Sequence, residues 1–305
     1  MYKKSIVIFI DILGFKSLVE QSETHEKIFR KIQRTLMKFK SLEDPLSWPN
    51  DLIEVEEDAQ MKGLEGFDIS SKTKCTCFSD SIVVSIEVEN DLNKVFSSLI
   101  ANLARIGAEL LCEGVLIRGG IDLAEVYHEN GVIFGKGLIN AYELESNAAK
   151  YPRIIVSKNL ISELNYPLLE KSSRYPYHLY LDRFDDGCVG IHQLIFYQVL
   201  QNSTIISDDR IREALKKSKD VIIEGLDANF ECSQIFLKYK WLMSQYNKLI
   251  ILPDGLKETF HDISESDSRH NIHYRYIDNV FNNRRTVRTN DWGNVSEFYD
   301  LEKLY

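Results

Sequence analysis

The stretch VIFIDILGF, residues 7–15, sets an ionisable side chain inside a run of apolar ones. Residues 5–11 are rich in Ile and Val, the pattern of a strand buried on both faces. Asp11 closes that run, and Ile12 and Leu13 keep the surroundings apolar up to Gly14, where the chain turns. A carboxylate placed there costs several kcal/mol unless a cation meets it. A fold built on this strand must therefore bring positive charge to its end, and without a metal Asp11 has no evident partner in the chain.

The rest of the chain supplies the frame. Residues 15–40 carry apolar positions at helical spacing, in one or two helical pieces. Residues 41–72 hold two prolines and acidic clusters with little periodicity, which predicts a loop or insertion. KTKCTCFSDSIVVSIEVE reads as two strands meeting in a hairpin at Phe78-Ser79-Asp80-Ser81. Residues 91–112 form an amphipathic helix with a start signal at Asn90/Asp91 and Gly114 just past its end. VLIRGGIDLAEVYHENGVIFG gives two strands around a His-Glu-Asn-Gly turn, GKGLINAYELESNAAKY a helix, and RIIVS a strand. Strand-like pieces near 177–197 and helices at about 207–225 and 228–248 follow, and the end after them looks partly loose. The order to about residue 158 is β-α-β-β-α-β-β-α-β. The expected class is α+β: a ferredoxin-like β-α-β-β-α-β core with extra strands and a C-terminal helical extension. The expected division is a catalytic domain over 1–200, including the 41–72 insertion, and an extension over 201–305 packed on it.

In such a sheet the first strand lies beside the hairpin, so Asp11 and Asp80 converge at one edge, next to a helix that opens at Gly14. Paired carboxylates hold Mg²⁺ or Mn²⁺ together with phosphate oxygens, and backbone N–H groups near Leu13, Gly14 and Phe15 suit the phosphate itself. The plainer reading is a helix cap at Asp11 and a turn residue at Asp80. A net charge of −9 without a Lys/Arg run argues against a nucleic-acid track or a membrane patch. Lys3 and Lys4 precede only a short apolar run, so no leader is expected. The five cysteines follow no zinc spacing and read as reduced thiols of a cytoplasmic protein.

FIDILGF, FSDSIVVS, LIRGGIDLAEVYHENGVIFGKGLINAYELE and AYELESNAAKYPRIIV together resemble the core of class III nucleotide cyclases. They are most similar to the pyrimidine cyclases of the bacterial Pycsar anti-phage systems, over about residues 5–200. The resemblance implies two Mg²⁺ or Mn²⁺ ions bridged by Asp11 and Asp80, with the Ile12 carbonyl as a further ligand. It implies attack of the ribose 3′-OH on the α-phosphorus with loss of pyrophosphate. Arg118 of IRGGI matches an arginine that contacts the polyphosphate, where its planar fork suits bidentate binding. The product would be a second messenger for antiviral defence, read by a separate cyclic-nucleotide-responsive effector.

The pattern also departs from the family. Purine cyclases read the base with Lys and Asp at the positions of Thr76 and Val132. Their absence disfavours ATP and leaves UTP and CTP open, because a hydroxyl can donate or accept. The usual Asn and Arg on the helix after Phe134-Gly135 fall on Ile139 and Glu143. Asn140 is one position off and could bind ribose; Lys136 and Arg153 could supply positive charge. Catalysis by a homodimer with sites at its interface is implied, with an apolar sheet face around Ile82, Val84 and Phe134 awaiting the partner. Alternatives are a non-catalytic nucleotide-sensing or dimerisation module on a degenerate cyclase fold, a purine cyclase, and a palm-type nucleotidyltransferase. The −9 charge disfavours the last, which needs a basic channel. Cys75 and Cys77 read as core, His128 as a solvated loop residue, and KYKWLMSQY as core or interface.

Overall fold

Apolar runs of period two and period 3.6 alternate along the chain, and in a computed structural model they form the mixed α+β architecture expected of them. The structure describes residues 1–43, 72–89, 91–164, 176–200 and 209–249. It runs β1 (Lys3–Ile12), α1 (Phe15–Ser22), α2 (Glu26–Lys40), β2 (Thr73–Phe78), β3 (Ser81–Glu87), α3 (Leu92–Cys112) and β4 (Ile117–Glu129). There follow β5 (Val132–Phe134), α4 (Lys136–Ala148), β6 (Arg153–Val156), α5 (Lys158–Glu163), β7 (Asp182–Arg183), β8 (Val189–His192), α6 (Ile195–Leu200), α7 (Asp209–Ala228) and α8 (Ser233–Leu249). Most of the expected 41–72 insertion and the loose end beyond 249 lie outside the described residues. The strand-like stretch near 177–197 holds only the short β7 and β8, between a 3-10 turn at Pro176–Tyr180 and α6.

The chain divides into two compact units, Met1–Phe184 with Cys188–Ala214, and Asp185–Gly187 with Leu215–Tyr305. In the first, the strands lie in the order β2-β3-β1-β4-β6-β8-β7, with β5 paired to β4. β1 is central, antiparallel to both β3 and β4. Strand alternation sorts its side chains. Ile6, Ile8, Ile10 and Ile12 turn to one face and are at most 2% exposed. Val7, Phe9 and Asp11 turn to the other, where Val7 packs with Val83, Val126 and Ala141 of α4.

Gly120 of β4 sets the spacing on that second face. A Cβ on Gly120 would lie 2.3 Å from the Ala141 carbonyl oxygen and 2.6 Å from Leu144 Cβ, so α4 rests directly on the β4 backbone there. On the other face, Lys38 of α2 reaches Glu109 of α3 at 2.5 Å. Asp91 caps α3 by accepting from the Lys94 N–H at 3.0 Å, as the start signal predicts. α3 is long and apolar enough to cross a bilayer, yet 83% of its apolar window is buried inside the protein, which makes it a core helix. Gln193 holds the start of β4. Its side-chain oxygen accepts from Ile117 N–H at 3.1 Å, and its amide nitrogen donates to Gly107 and Val115 carbonyls at 3.0 and 2.9 Å.

In the second unit, Gly225 of α7 sits against the Tyr239 ring of α8; an added Cβ would meet the ring at 2.1 Å. The KYKWLMSQY stretch of α8 buries Leu242, Met243 and Tyr246. It is core.

Candidate active site

Three backbone segments end together at one edge of the sheet. Asp11, next to last in β1, has Ser81 of β3 and Arg118 of β4 as its register neighbours. The β2–β3 hairpin tip turns through Ser79, whose φ of 57° is left-handed, and this sends Asp80 back toward β1. The Asp80 carbonyl accepts from Ile12 N–H at 3.0 Å. The hairpin is thereby pinned to the strand end, and the backbone holds the two aspartates side by side.

The cation that the first strand requires is present in the same chain. Arg118 Nε donates to Asp11 Oδ2 at 3.0 Å. This corrects the expectation that Asp11 has no side-chain partner: the partner lies 107 residues away in sequence and directly opposite in register. The same Nε stands 2.6 Å from Oε1 of Glu145 on α4. Its single N–H is aimed at Asp11, so Glu145 Oε1 faces the guanidinium without an aligned hydrogen bond. Glu145 is only 3% exposed. Burial pushes its carboxyl above the usual carboxylate range; Ser146 and Arg118 oppose that shift, and the charges of Asp11 and Asp80 add to it.

The remaining expected residues are placed as follows. Leu13 donates its N–H to the Leu116 carbonyl at 2.9 Å, so that amide is taken by the sheet and is not a phosphate donor. The chain turns at Gly14 (φ 74°), and the first turn of α1 begins at the buried Phe15 without a side-chain cap. Its amides follow those of Ile12 and Leu13, which are already bonded to the Asp80 and Leu116 carbonyls. Thr76 Oγ1 is hydrogen-bonded to His128 Nε2 at 2.8 Å, and His128 Nδ1 to Ser85 Oγ at 2.7 Å. His128 is 7% exposed, so its reading as a solvated loop residue is overturned: β4 continues past it and turns its ring onto the sheet. Burial pulls the His128 pKa down, with Lys74 adding to that effect.

Asn140 does not stand free for a ribose in this chain. Its side-chain nitrogen donates to Asp122 Oδ2 at 2.7 Å, tying α4 to β4. Arg153 is 2% exposed, donates to the Ala148 carbonyl at 3.1 Å and lies over the Phe184 and Tyr151 rings. Val132 is exposed on β5, along with Phe134. The expected uncovered patch also needs correction. Ile82 and Val84 pair with Ile10 and Ile8, share their face and are fully buried, α2 covering β3 there. Phe134 is exposed as expected, and Val132 on β5 and Ile139 and Tyr142 on α4 are exposed as well.

Sequence reasoning missed Glu145, although a signal was there. Gly137, Ala141 and Glu145 follow one another at intervals of four and form the buried stripe of α4. A carboxylate in line with two small residues belongs to the face that meets the sheet.

No family model and no curated protein matches this chain. Among solved structures, it is similar to the crystal structure of an adenylate/guanylate cyclase/hydrolase from Silicibacter pomeroyi. The two are 14% identical, the match covers 62% of this chain and 95% of that one, and the TM-score is 0.31.

Proposed function

We propose that this chain is a nucleotide cyclase that converts a pyrimidine nucleoside triphosphate, UTP or CTP, to its 3′,5′-cyclic monophosphate and pyrophosphate. The observation that carries the reading is the meeting of Asp11, Asp80 and Arg118 at one sheet edge, each delivered by a different strand segment. The elements from β1 to β4, read as a ferredoxin-like unit, are the frame this reading assumes.

The donor set fits hard divalent cations. Among the described residues no three His, Cys, Asp or Glu side chains group closely enough to hold a metal on their own. Two carboxylates alone suit Mg²⁺ or Mn²⁺ completed by substrate phosphates. Asp11 and Asp80 would hold the ions, with the Ile12 carbonyl as a further ligand. Such ions supply a more acidic 3′-OH and charge neutralisation on the triphosphate. Arg118, planar and permanently charged, binds polyphosphate oxygens once the ligand displaces its contact with Asp11. The first turn of α1 presents N–H groups to an anion at the same edge. Thr76, held by His128, presents a hydroxyl rather than a charge toward a base, which agrees with a pyrimidine.

The partner would be a second copy of the chain, meeting the first across Phe134, Ile139 and Tyr142, and the product a messenger for a separate effector in antiviral defence. A second reading, a non-catalytic nucleotide-sensing module, is favoured by two observations: Asn140 is engaged by Asp122, and Arg153 is buried. One assay separates them. Purified protein with Mn²⁺ and each of the four nucleoside triphosphates should release pyrophosphate and form cyclic UMP or cyclic CMP. Asp11→Asn and Asp80→Asn should each abolish it. No turnover with any triphosphate would favour the module, and a dominant cyclic AMP product would overturn the pyrimidine assignment.

A further inference from the structure

Arg118 is one cation with two anionic neighbours. Its Nε–H is directed at Asp11 Oδ2, 3.0 Å away, while Glu145 Oε1 waits at 2.6 Å without an aligned donor. Glu145 is almost fully buried, and a buried carboxylate with an unsatisfied oxygen is costly to maintain. A divalent cation at Asp11 and a guanidinium bonded to the same carboxylate repel each other and compete for its oxygens.

We propose that Glu145 is the alternative seat for Arg118: it draws the guanidinium away from Asp11 and so clears that carboxylate for a divalent cation. The inference rests on the metal-binding reading of Asp11 and Asp80. The geometry needs only a small swing, since Nε already lies within contact of both carboxylates. Glu145 acts through Arg118 and is a positioning residue. The seat is rigid because α4 is held close to the sheet: Gly120 admits its backbone to contact, and Asn140 bonds Asp122 on the same helix–strand pair. Without Glu145 the only anion left to Arg118 among these is Asp11, and the metal must displace a hydrogen-bonded ion pair to bind.

The test is Mn²⁺ titration of the full chain by calorimetry, with no nucleotide present and the fold of every variant checked by circular dichroism. Wild type should bind Mn²⁺ weakly, with water in place of substrate phosphates, and Asp11→Asn should remove that binding. A wild type that binds none would defeat the metal reading. Glu145→Gln, which keeps the shape and removes the charge, should weaken Mn²⁺ about tenfold or more, the usual range for residues that support metal ligands. Arg118→Gln/Glu145→Gln should return the affinity to the wild-type level, because the competitor is gone along with its seat. Glu145→Asp, which retains the charge on a shorter stem, should fall between wild type and Glu145→Gln, and it serves in place of Glu145→Gln if that variant does not fold. Undiminished Mn²⁺ affinity in these Glu145 variants would overturn the proposal. So would a double variant as weak as the single, which would make Glu145 a direct ligand. Binding unaffected by Asp11→Asn would instead defeat the metal reading itself.

Discussion

At the scale of the residue, Asp11 shows how one unfavourable placement determines its surroundings. The sequence revealed the problem, since a carboxylate at the end of an Ile/Val run needs a cation, and it also contained Arg118 in a buried-looking strand. The pairing of the two was hidden because register, not sequence distance, makes them neighbours. The pairing alters the stability expected of an Asp11 variant. Asp11 and Arg118 are partly exposed, at 18% and 28% of their side-chain surface, so their ion pair contributes at most about 1 kcal/mol. Asp11→Asn should therefore change the unfolding free energy of the metal-free protein, read from urea denaturation, by about 1 kcal/mol or less, while turnover vanishes. His128 was misread because its turn sequence is polar, whereas its side chain is committed to Thr76 and Ser85. Its pKa is depressed in the folded state, so the neutral ring is the folded form. Above the ordinary value of about 6.5 both states are neutral. As pH falls below it, the unfolded chain takes up a proton that the folded ring resists, and stability declines by up to about 1.4 kcal/mol per pH unit until the folded pKa is passed. His128→Gln should lose less stability than wild type between pH 6.5 and 5. Parallel melting curves across that range would refute it.

At the scale of the element, the order of strands and helices was legible nearly throughout the first unit because period and punctuation agreed: Asp91 before α3, Gly114 after it, a Phe-Ser-Asp-Ser hairpin tip. What escaped was which face each element turns inward. Ile82 and Val84 look no different in sequence from residues of an open face, and only their pairing with Ile10 and Ile8 places them under α2. The paired glycines of IRGGI carry information that is easier to recover. Gly120 lies where the α4 backbone touches β4, and Gly120→Ala would put a methyl group against main-chain atoms that cannot rotate away. The helix must lift, at a cost of about 1–3 kcal/mol for overpacking. Because α4 carries Glu145 and Asn140, turnover should fall more than stability does, and a variant with unchanged kcat would show that α4 is not part of the site. On β2, Cys75 and Cys77 point the same way with sulfurs 4.0 Å apart. A hydrogen bond from Cys75, helped by Lys40, lowers the Cys77 thiol to about 7. Iodoacetamide at neutral pH should label Cys77 ahead of the buried Cys75, and Cys75→Ala should move the Cys77 labelling midpoint to higher pH.

At the scale of the whole molecule, the two sides of α4 differ in exposure. Its inner stripe of Gly137, Ala141 and Glu145 serves the sheet of its own chain. Ile139 and Tyr142, each more than half exposed, stand apart from that stripe, and on the neighbouring strand Val132 and Phe134 are exposed as well. Under the proposed function these exposed apolar groups meet a second copy, and a contact between two copies of one chain is isologous about a two-fold axis. The proposed reaction uses the same contact, with each site shared between two copies of the chain. Ile139→Asp puts a charge among these exposed apolar groups without altering the inner stripe, Asp11, Asp80 or Arg118. It should convert a dimer to a monomer in sedimentation velocity, with the melting temperature of the monomer little changed. Turnover should fall in parallel, and wild-type specific activity should fall on dilution through the same concentration range in which the dimer dissociates. A wild-type chain that sediments as a monomer at assay concentration while turning over at full rate would rule the contact out, and with it the sharing of each site between two copies.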